Sequence, residues 1–267
     1  MSTVSELMSL RGRRALITGA AGGLGRVLID TVAELGAEVV LVDRPGSDLV
    51  SLSGEVTRRW GVQTLHRYCD LEDQVQRTEL ISWLTMAGIS LNVLINNAAF
   101  VGSSDLKGWG VPFEEQTVDT WRRALEVNLT AVFHLCQGLM PSLRSVEGAS
   151  IINIASIYGM YGPDWSLYES TEMGNPAAYG ASKGGLIQFT RWLATTVAPH
   201  VRVNTLSPGG IFRNQPAEFV RRYQAKTPLN RMATEDDFRG AVAYLASDLS
   251  QYVTGQNISV DGGWGCW

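Results

Sequence analysis

Short apolar runs alternate along the chain with longer stretches whose apolar positions recur every three or four residues. Seven runs read as strands: 13–19 (RRALITG), 37–43 (AEVVLVD), 62–70 (VQTLHRYCD), 91–97 (LNVLINN), 149–156 (ASIINIAS), 201–209 (VRVNTLSPG) and 256–263 (QNISVDGG). Near-continuous Val, Ile and Leu marks strands buried on both faces, as in a parallel sheet. Helical spacing covers 24–35, 73–86, 118–143, 179–197 and 235–246. This alternation predicts an α/β doubly wound fold, a seven-stranded parallel sheet flanked by helices. No repeat or linker interrupts it, so residues 1–267 read as one domain.

Composition narrows the class. With 45% hydrophobic and 18% charged residues, the chain has a globular profile. A net charge of −4 offers no basic surface for nucleic acid or an anionic membrane. Polar residues or glycine break the apolar runs, so no membrane-spanning helix is expected. Residues 1–12 carry Glu6 and lack a basic segment followed by a long apolar one, which argues against a secretory signal. Cys69, Cys136 and Cys266 are too scattered for a disulfide framework, and His66, His134 and His200 add no metal-ligand spacing. This usage fits a reducing cytoplasm and no metal.

The first strand runs into TGAAGGLG, Thr18 to Gly25, and then a helix. Gly19, Gly23 and Gly25 supply a tight turn, close backbone approach, and a helix N-terminus that attracts a pyrophosphate. An ordinary turn can be as rich in glycine, but the strand before and the helix after favour the dinucleotide reading. The second strand ends on Asp43, placed to accept hydrogen bonds from an adenosine ribose. A carboxylate there repels a 2′-phosphate and favours NAD over NADP, while the adjacent Arg44 pulls the other way. Asp70 reads either as an adenine contact or as a turn residue. Farther on, Tyr179 and Lys183 stand four apart in NPAAYGASKGG (175–185), on one helix face. They read as a proton-transfer device or as a helix start carrying an aromatic and a charge.

Taken in order, these motifs resemble the short-chain dehydrogenase/reductase family along nearly the whole chain. TGAAGGLG matches the family's T-G-x-x-x-G-x-G, and NNAA (96–99) stands where N-N-A-G is usual. VNL carries Asn128, IINIASIYG carries Ser156, and YGASKGG carries Tyr179 and Lys183. SPGGI (207–211) and YVTGQNISVDGGW (252–264) resemble the family's later signatures. The resemblance implies a single NAD(P)-binding Rossmann domain that moves hydride between nicotinamide and a secondary alcohol or ketone. It implies cofactor contacts from Gly19, Gly23, Leu24, Gly25, Asp43, Asp70, Leu71, Asn97, Ala98, Tyr179, Lys183, Pro208, Gly209 and Ile211.

The same resemblance assigns four catalytic residues. Tyr179 would exchange a proton with the substrate oxygen, and Lys183 would lower the phenol's pKa from about 10 and hold the nicotinamide ribose. Ser156 would hydrogen-bond the substrate oxygen. Asn128 would bend its helix and hold a proton-relaying water. Singly, Ser156 also reads as a turn cap, Asn128 as a backbone partner and Lys183 as a solvated charge. Together they favour catalysis.

Departures from the family pattern carry information. Ala99 replaces the usual glycine, and the interval from Ser156 to Tyr179 is longer than the commonest spacing. Tyr158, Tyr161 and Tyr168 therefore compete with Tyr179, but Gly162, Trp165 and Glu172 stand where each would need a lysine. The insert, 158–178, holds Asp164, Trp165, Tyr168, Glu169 and Glu172. Over a pocket mouth they suit a polar, sugar-like substrate or an amine better than a steroid. A surface loop with solvated acids is the plainer alternative. The insert resembles members linked to bacterial surface-sugar and amino-sugar pathways. Arg213, where the family often has threonine, reads as a partner for a carboxylate or phosphate.

Two other functions compete. A nucleotide-sugar epimerase or dehydratase would show a different glycine pattern and a longer C-terminal region. A non-catalytic dinucleotide sensor would be expected to lose Ser156, Tyr179 or Lys183. Trp264 and Trp267 around Cys266 suit cover by the subunit itself or by a partner. Leu125, Leu129, Phe133, Leu186, Phe189 and Leu193 on two helices suit the subunit core or an isologous interface; the resemblance tips this toward a homotetramer, or else a homodimer.

Overall fold

The computed structural model describes residues 1–101 and 106–267. Its strands are β1 (Arg14–Thr18), β2 (Glu38–Asp43), β3 (Thr64–Tyr68), β4 (Val93–Asn96), β5 (Ala149–Ile154), β6 (Val201–Pro208) and β7 (Asn257–Val260). They form one parallel sheet in the order β3-β2-β1-β4-β5-β6-β7, as the alternation predicts. The helices are α1 (Val4–Met8), α2 (Gly23–Glu34), α3 (Leu49–Trp60), α4 (Gln74–Met86), α5 (Val118–Leu125), α6 (Ala131–Arg144), α7 (Ala177–Val197), α8 (Ala217–Lys226) and α9 (Arg239–Ala246).

The period of two along each strand divides the core between the two faces. Leu16 of β1 packs with residues of α4, α6 and α7, whereas Ala15 and Ile17 pack with α2, α3 and α9. Burial on both sides explains the mostly apolar β1, β4 and β5; β6 is buried along its whole length as well, yet carries Arg202, Asn204, Thr205 and Ser207. β3 departs from that expectation. It pairs only with β2 at the sheet edge, and Leu65 and Tyr68 stay exposed.

Three helices, α1, α3 and α8, have no counterpart among the expected elements. The long helix expected over 118–143 is interrupted by a π-helical turn, Glu126–Thr130, between α5 and α6. Among the described residues no helix is long and apolar enough to cross a membrane.

The strand order positions the site. β1 and β4 are neighbours, and the chain winds outward from them in both directions. Crossovers therefore diverge at their carboxyl ends, leaving a crevice where ligands of open α/β sheets bind.

Candidate active site

β1 delivers the glycine loop into that crevice. Gly19 has φ +65°, a left-handed conformation that favours glycine. A Cβ on Gly25 would stand 2.0 Å from the Gly19 carbonyl oxygen, so only glycine lets α2 start that close. Thr18 and Asn97 lock the loop to the end of β4. The Thr18 hydroxyl accepts from the Asn97 and Ala98 N–H groups, both at 3.1 Å, and Asn97 Nδ2 donates to the Thr18 and Gly19 carbonyls.

Asp43 closes the adjacent wall. Its carboxylate accepts the Ala21 N–H at 2.8 Å and the Arg44 N–H at 2.7 Å, so it also pins the glycine loop. The Arg44 side chain is exposed at the rim. Asp70 follows β3, where its Oδ1 accepts the Glu72 N–H at 3.0 Å. Gly19, Gly23, Leu24, Gly25, Asp43, Asp70, Leu71, Asn97, Ala98, Pro208, Gly209 and Ile211 all line one cleft of about 1210 Å³.

The same cleft contains Ser156, Tyr179 and Lys183. Ser156 follows β5, and its Oγ accepts the Tyr158 N–H at 3.2 Å, so it caps a turn as well as lining the cleft. Tyr179 and Lys183 stand one turn apart on α7, with the Lys183 Nζ 5.8 Å from the phenol ring centre. The Nζ donates to the Ile154 carbonyl at 2.8 Å. Burial pushes its pKa down to about 8. The lowered phenol expected at Tyr179 does not appear here. Burial raises its pKa, with the Ser156 hydroxyl and the Arg213 charge acting in opposition.

Asn128 lies behind the cleft and does not line it. It is fully buried in the π turn, where its Oδ1 accepts the Phe100 N–H at 2.6 Å and its Nδ2 donates to Ser182 Oγ at 3.0 Å. It thus ties the cleft wall to α7 through the Phe100 backbone and the Ser182 hydroxyl rather than through Lys183. The hydroxyls of the competing tyrosines have other partners. Tyr158 and Tyr168 share a hydrogen bond at 2.7 Å, and the Tyr161 hydroxyl donates to the Gly265 carbonyl.

The insert departs from the expected arrangement of acids over the pocket mouth. Asp164 is drawn to Lys226 at 2.6 Å, which holds its carboxyl below the usual range, and Glu169 and Glu172 are exposed outside this cleft. Arg222 donates to the Ser166 and Glu169 carbonyls, so α8 clamps the insert. What reaches the cleft is Tyr158, Tyr168 and Met173, joined by Phe219, Tyr223 and Met232. Met173, Phe219, Tyr223 and Met232 belong to no motif that marks them in the sequence. Tyr223, whose hydroxyl accepts the Gly210 N–H at 2.5 Å, belongs to the unexpected α8. Trp264 stacks on Tyr223 and lies under Lys226, buried within its own subunit, whereas Trp267 is exposed. The covering expected for Trp264 thus needs no partner.

Comparison with known proteins agrees with the fold and the family resemblance. Residues 19–265 match the family profile described as enoyl-(acyl carrier protein) reductase. The chain is 31% identical over 267 residues to a Rhizobium meliloti (strain 1021) protein named "Probable galactose dehydrogenase", covering 97% of each. The solved gluconate 5-dehydrogenase of Burkholderia cenocepacia J2315, in complex with NADP and tartrate, is 27% identical. Its TM-score is 0.86 over 99% of this chain and 100% of that one. A short-chain dehydrogenase of Leptospira borgpetersenii serovar Hardjo-bovis with bound NAD⁺ is 32% identical, with a TM-score of 0.82 over 99% and 96%. This chain belongs to the short-chain dehydrogenase/reductase family of NAD(P)-dependent oxidoreductases.

Proposed function

We propose that the protein is an NAD-preferring dehydrogenase or reductase of a polar, sugar-like secondary alcohol or ketone, with Tyr179 as general acid/base. One observation carries the reading. Ser156, Tyr179 and Lys183 come from two elements to line the same cleft as the glycine loop. The tight Gly19–Gly25 turn and the cleft's volume fit a dinucleotide. Bound nicotinamide supplies the hydride donor or acceptor.

The chain's own residues do the rest. Gly19, Gly23, Leu24 and Gly25 hold the pyrophosphate, Asp43 the adenosine ribose, and Asp70 and Leu71 the adenine. Asn97, Ala98, Pro208, Gly209 and Ile211 wall the nicotinamide end. Ser156 orients the substrate oxygen, and Tyr179 takes its proton during oxidation or returns it during reduction. Lys183 offers three donors, of which Ile154 engages one. The others serve the nicotinamide ribose and the phenolate, whose charge the ammonium favours. Asn128 positions rather than reacts, by fixing the wall at Phe100 against α7.

Asp43 supports the NAD preference through its charge beside the ribose position. The relatives include structures with NADP and with NAD⁺, so that preference rests on this residue. The substrate class rests on the named relatives and on the Tyr158–Tyr168 hydroxyl pair, flanked by aromatic faces that suit the C–H faces of a sugar ring. The single sheet supports one NAD(P)-binding domain over 1–267, and the cysteine usage a cytoplasmic location. A homotetramer or homodimer is supported by Phe133 and Trp192, 45% and 57% exposed beside Phe189 on α6 and α7. Light scattering tests it against the 29.1 kDa chain.

The functional test is a screen of galactose, gluconate and polyols with NAD⁺ and NADP⁺, read at the reduced-nicotinamide absorbance. Turnover of a sugar-like alcohol, faster with NAD⁺, is expected. Turnover confined to apolar alcohols or ketones would overturn the substrate class.

A further inference from the structure

We propose that Arg213 clamps the cofactor pyrophosphate and that Glu235 occupies the clamp in the free chain. Arg213 Nη2 pairs with Glu235 Oε1 at 3.1 Å. The pair sits against the first residue of α2. A Cβ on Gly23 would stand 2.8 Å from the Glu235 carboxylate and 3.4 Å from the Arg213 guanidinium. Both charged ends therefore reach the point where the helix's unpaired N–H groups and dipole favour an anion. In the free chain the nearest anion is the Glu235 carboxylate.

Arg213 is the member that faces the ligand. It lines the cleft, and its charge reaches Tyr179, where it favours the phenolate. Its guanidinium therefore stands beside the glycine loop, where the pyrophosphate would sit, on the side toward the proposed acid/base. Its backbone is fixed, because the Arg213 N–H donates to Gln215 Oε1 at 2.7 Å and Gln215 Nε2 donates to the Ile211 carbonyl at 2.8 Å. The half-exposed guanidinium can turn on that fixed base. A guanidinium fork matches phosphate oxygens in pairs, so exchanging the carboxylate for pyrophosphate leaves Arg213 no poorer in partners. Glu235 must then withdraw, because two anions cannot share the helix end at low cost.

The proposal rests on the placement of the pyrophosphate at the glycine loop. ADP-ribose carries adenosine and pyrophosphate without nicotinamide, so calorimetric titration with it reads the clamp without turnover. Arg213→Gln should weaken ADP-ribose binding on the order of tenfold and reduce its salt dependence. Glu235→Gln should tighten it, because the competing carboxylate is gone. Wild-type affinity in Arg213→Gln, beside the expected loss in Asp43→Ala, would overturn the clamp and leave the cofactor site standing. Unchanged ADP-ribose affinity with a raised KM for a carboxylated sugar would assign Arg213 to the substrate instead. Failure of the wild-type protein to bind ADP-ribose would overturn the placement itself.

Discussion

Arg77 and Lys183 are both buried cations, at 1% and 2% exposure, and the fold treats them in opposite ways. Arg77 is surrounded by acceptors. It pairs with Glu126 at 2.5 Å, donates to the Leu71 carbonyl, and reaches His134 Nδ1 at 3.3 Å. Lys183 has the Ile154 carbonyl and no carboxylate within salt-bridge distance among the described residues. A buried charge is costly unless paired and hydrogen-bonded. Arg77 meets that condition and staples α4 to the π turn. Lys183 does not, and it borders the cleft. A cost that better packing would remove has been kept where a ribose and a phenolate can use the charge.

The largest effects should separate the two residues. Lys183→Met is expected to cut turnover by roughly 10²–10⁴-fold without lowering the melting temperature of the free protein. Arg77→Met should leave turnover near wild type at low temperature. It should lose stability near the low end of ~3–5 kcal/mol, because Glu126 keeps part of its side chain in water. At about 2–4 °C per kcal/mol, thermal melts will resolve this. The contrast fails if Arg77→Met abolishes turnover in a stable protein, or if Lys183→Met melts early.

pH sharpens the same contrast. The Lys183 ammonium titrates at about 8 in the folded chain, against an ordinary 10.5. Between those values the unfolded chain binds a proton that the folded chain has released, so stability rises with pH. Below about 8 both states hold it, and the burial cost is full. Wild type should therefore gain a few degrees in melting temperature relative to Lys183→Met as pH rises through this window. Parallel curves would show that Lys183 is not a strained cation.

Asp43 falls between the two cases, since it serves the fold through Ala21 and, in this account, the ribose as well. Wild type should prefer NAD over NADP by about tenfold in kcat/KM, or ~1.4 kcal/mol. Asp43→Ser should narrow that gap and weaken both cofactors, because the glycine loop loses its pin. A wild-type preference for NADP would mean that Arg44 outweighs the acid.

The contrast also marks what the sequence makes legible. The buried strands and the glycine loop follow from local periodicity and from turn chemistry, so their order could be read directly. Tyr179 and Lys183 are visible because helical spacing puts them on one face. α8 was not visible, since AEFVRRYQAK buries only Phe219 and Tyr223 and shows no apolar stripe. α3 is interrupted by Gly54 and bounded by caps, Asp48 and Gly61, that resemble loop residues. The insert's acids do not face the cleft as expected, because Asp164 answers to Lys226, 62 residues away. Local pattern carries no record of such a partner. Even the strain on Lys183 is a tertiary fact, created by what the fold withholds.

The central claim is that Tyr179, and none of the insert tyrosines, moves the proton. Turnover of Tyr179→Phe with a substrate found in the screen, alongside its affinity for reduced cofactor, tests this most directly. The account predicts a loss of at least ~10²-fold in turnover with cofactor affinity nearly intact, because the ring stays and only the hydroxyl goes. Near-wild-type turnover in this variant would contradict it and return the role to another tyrosine of the cleft.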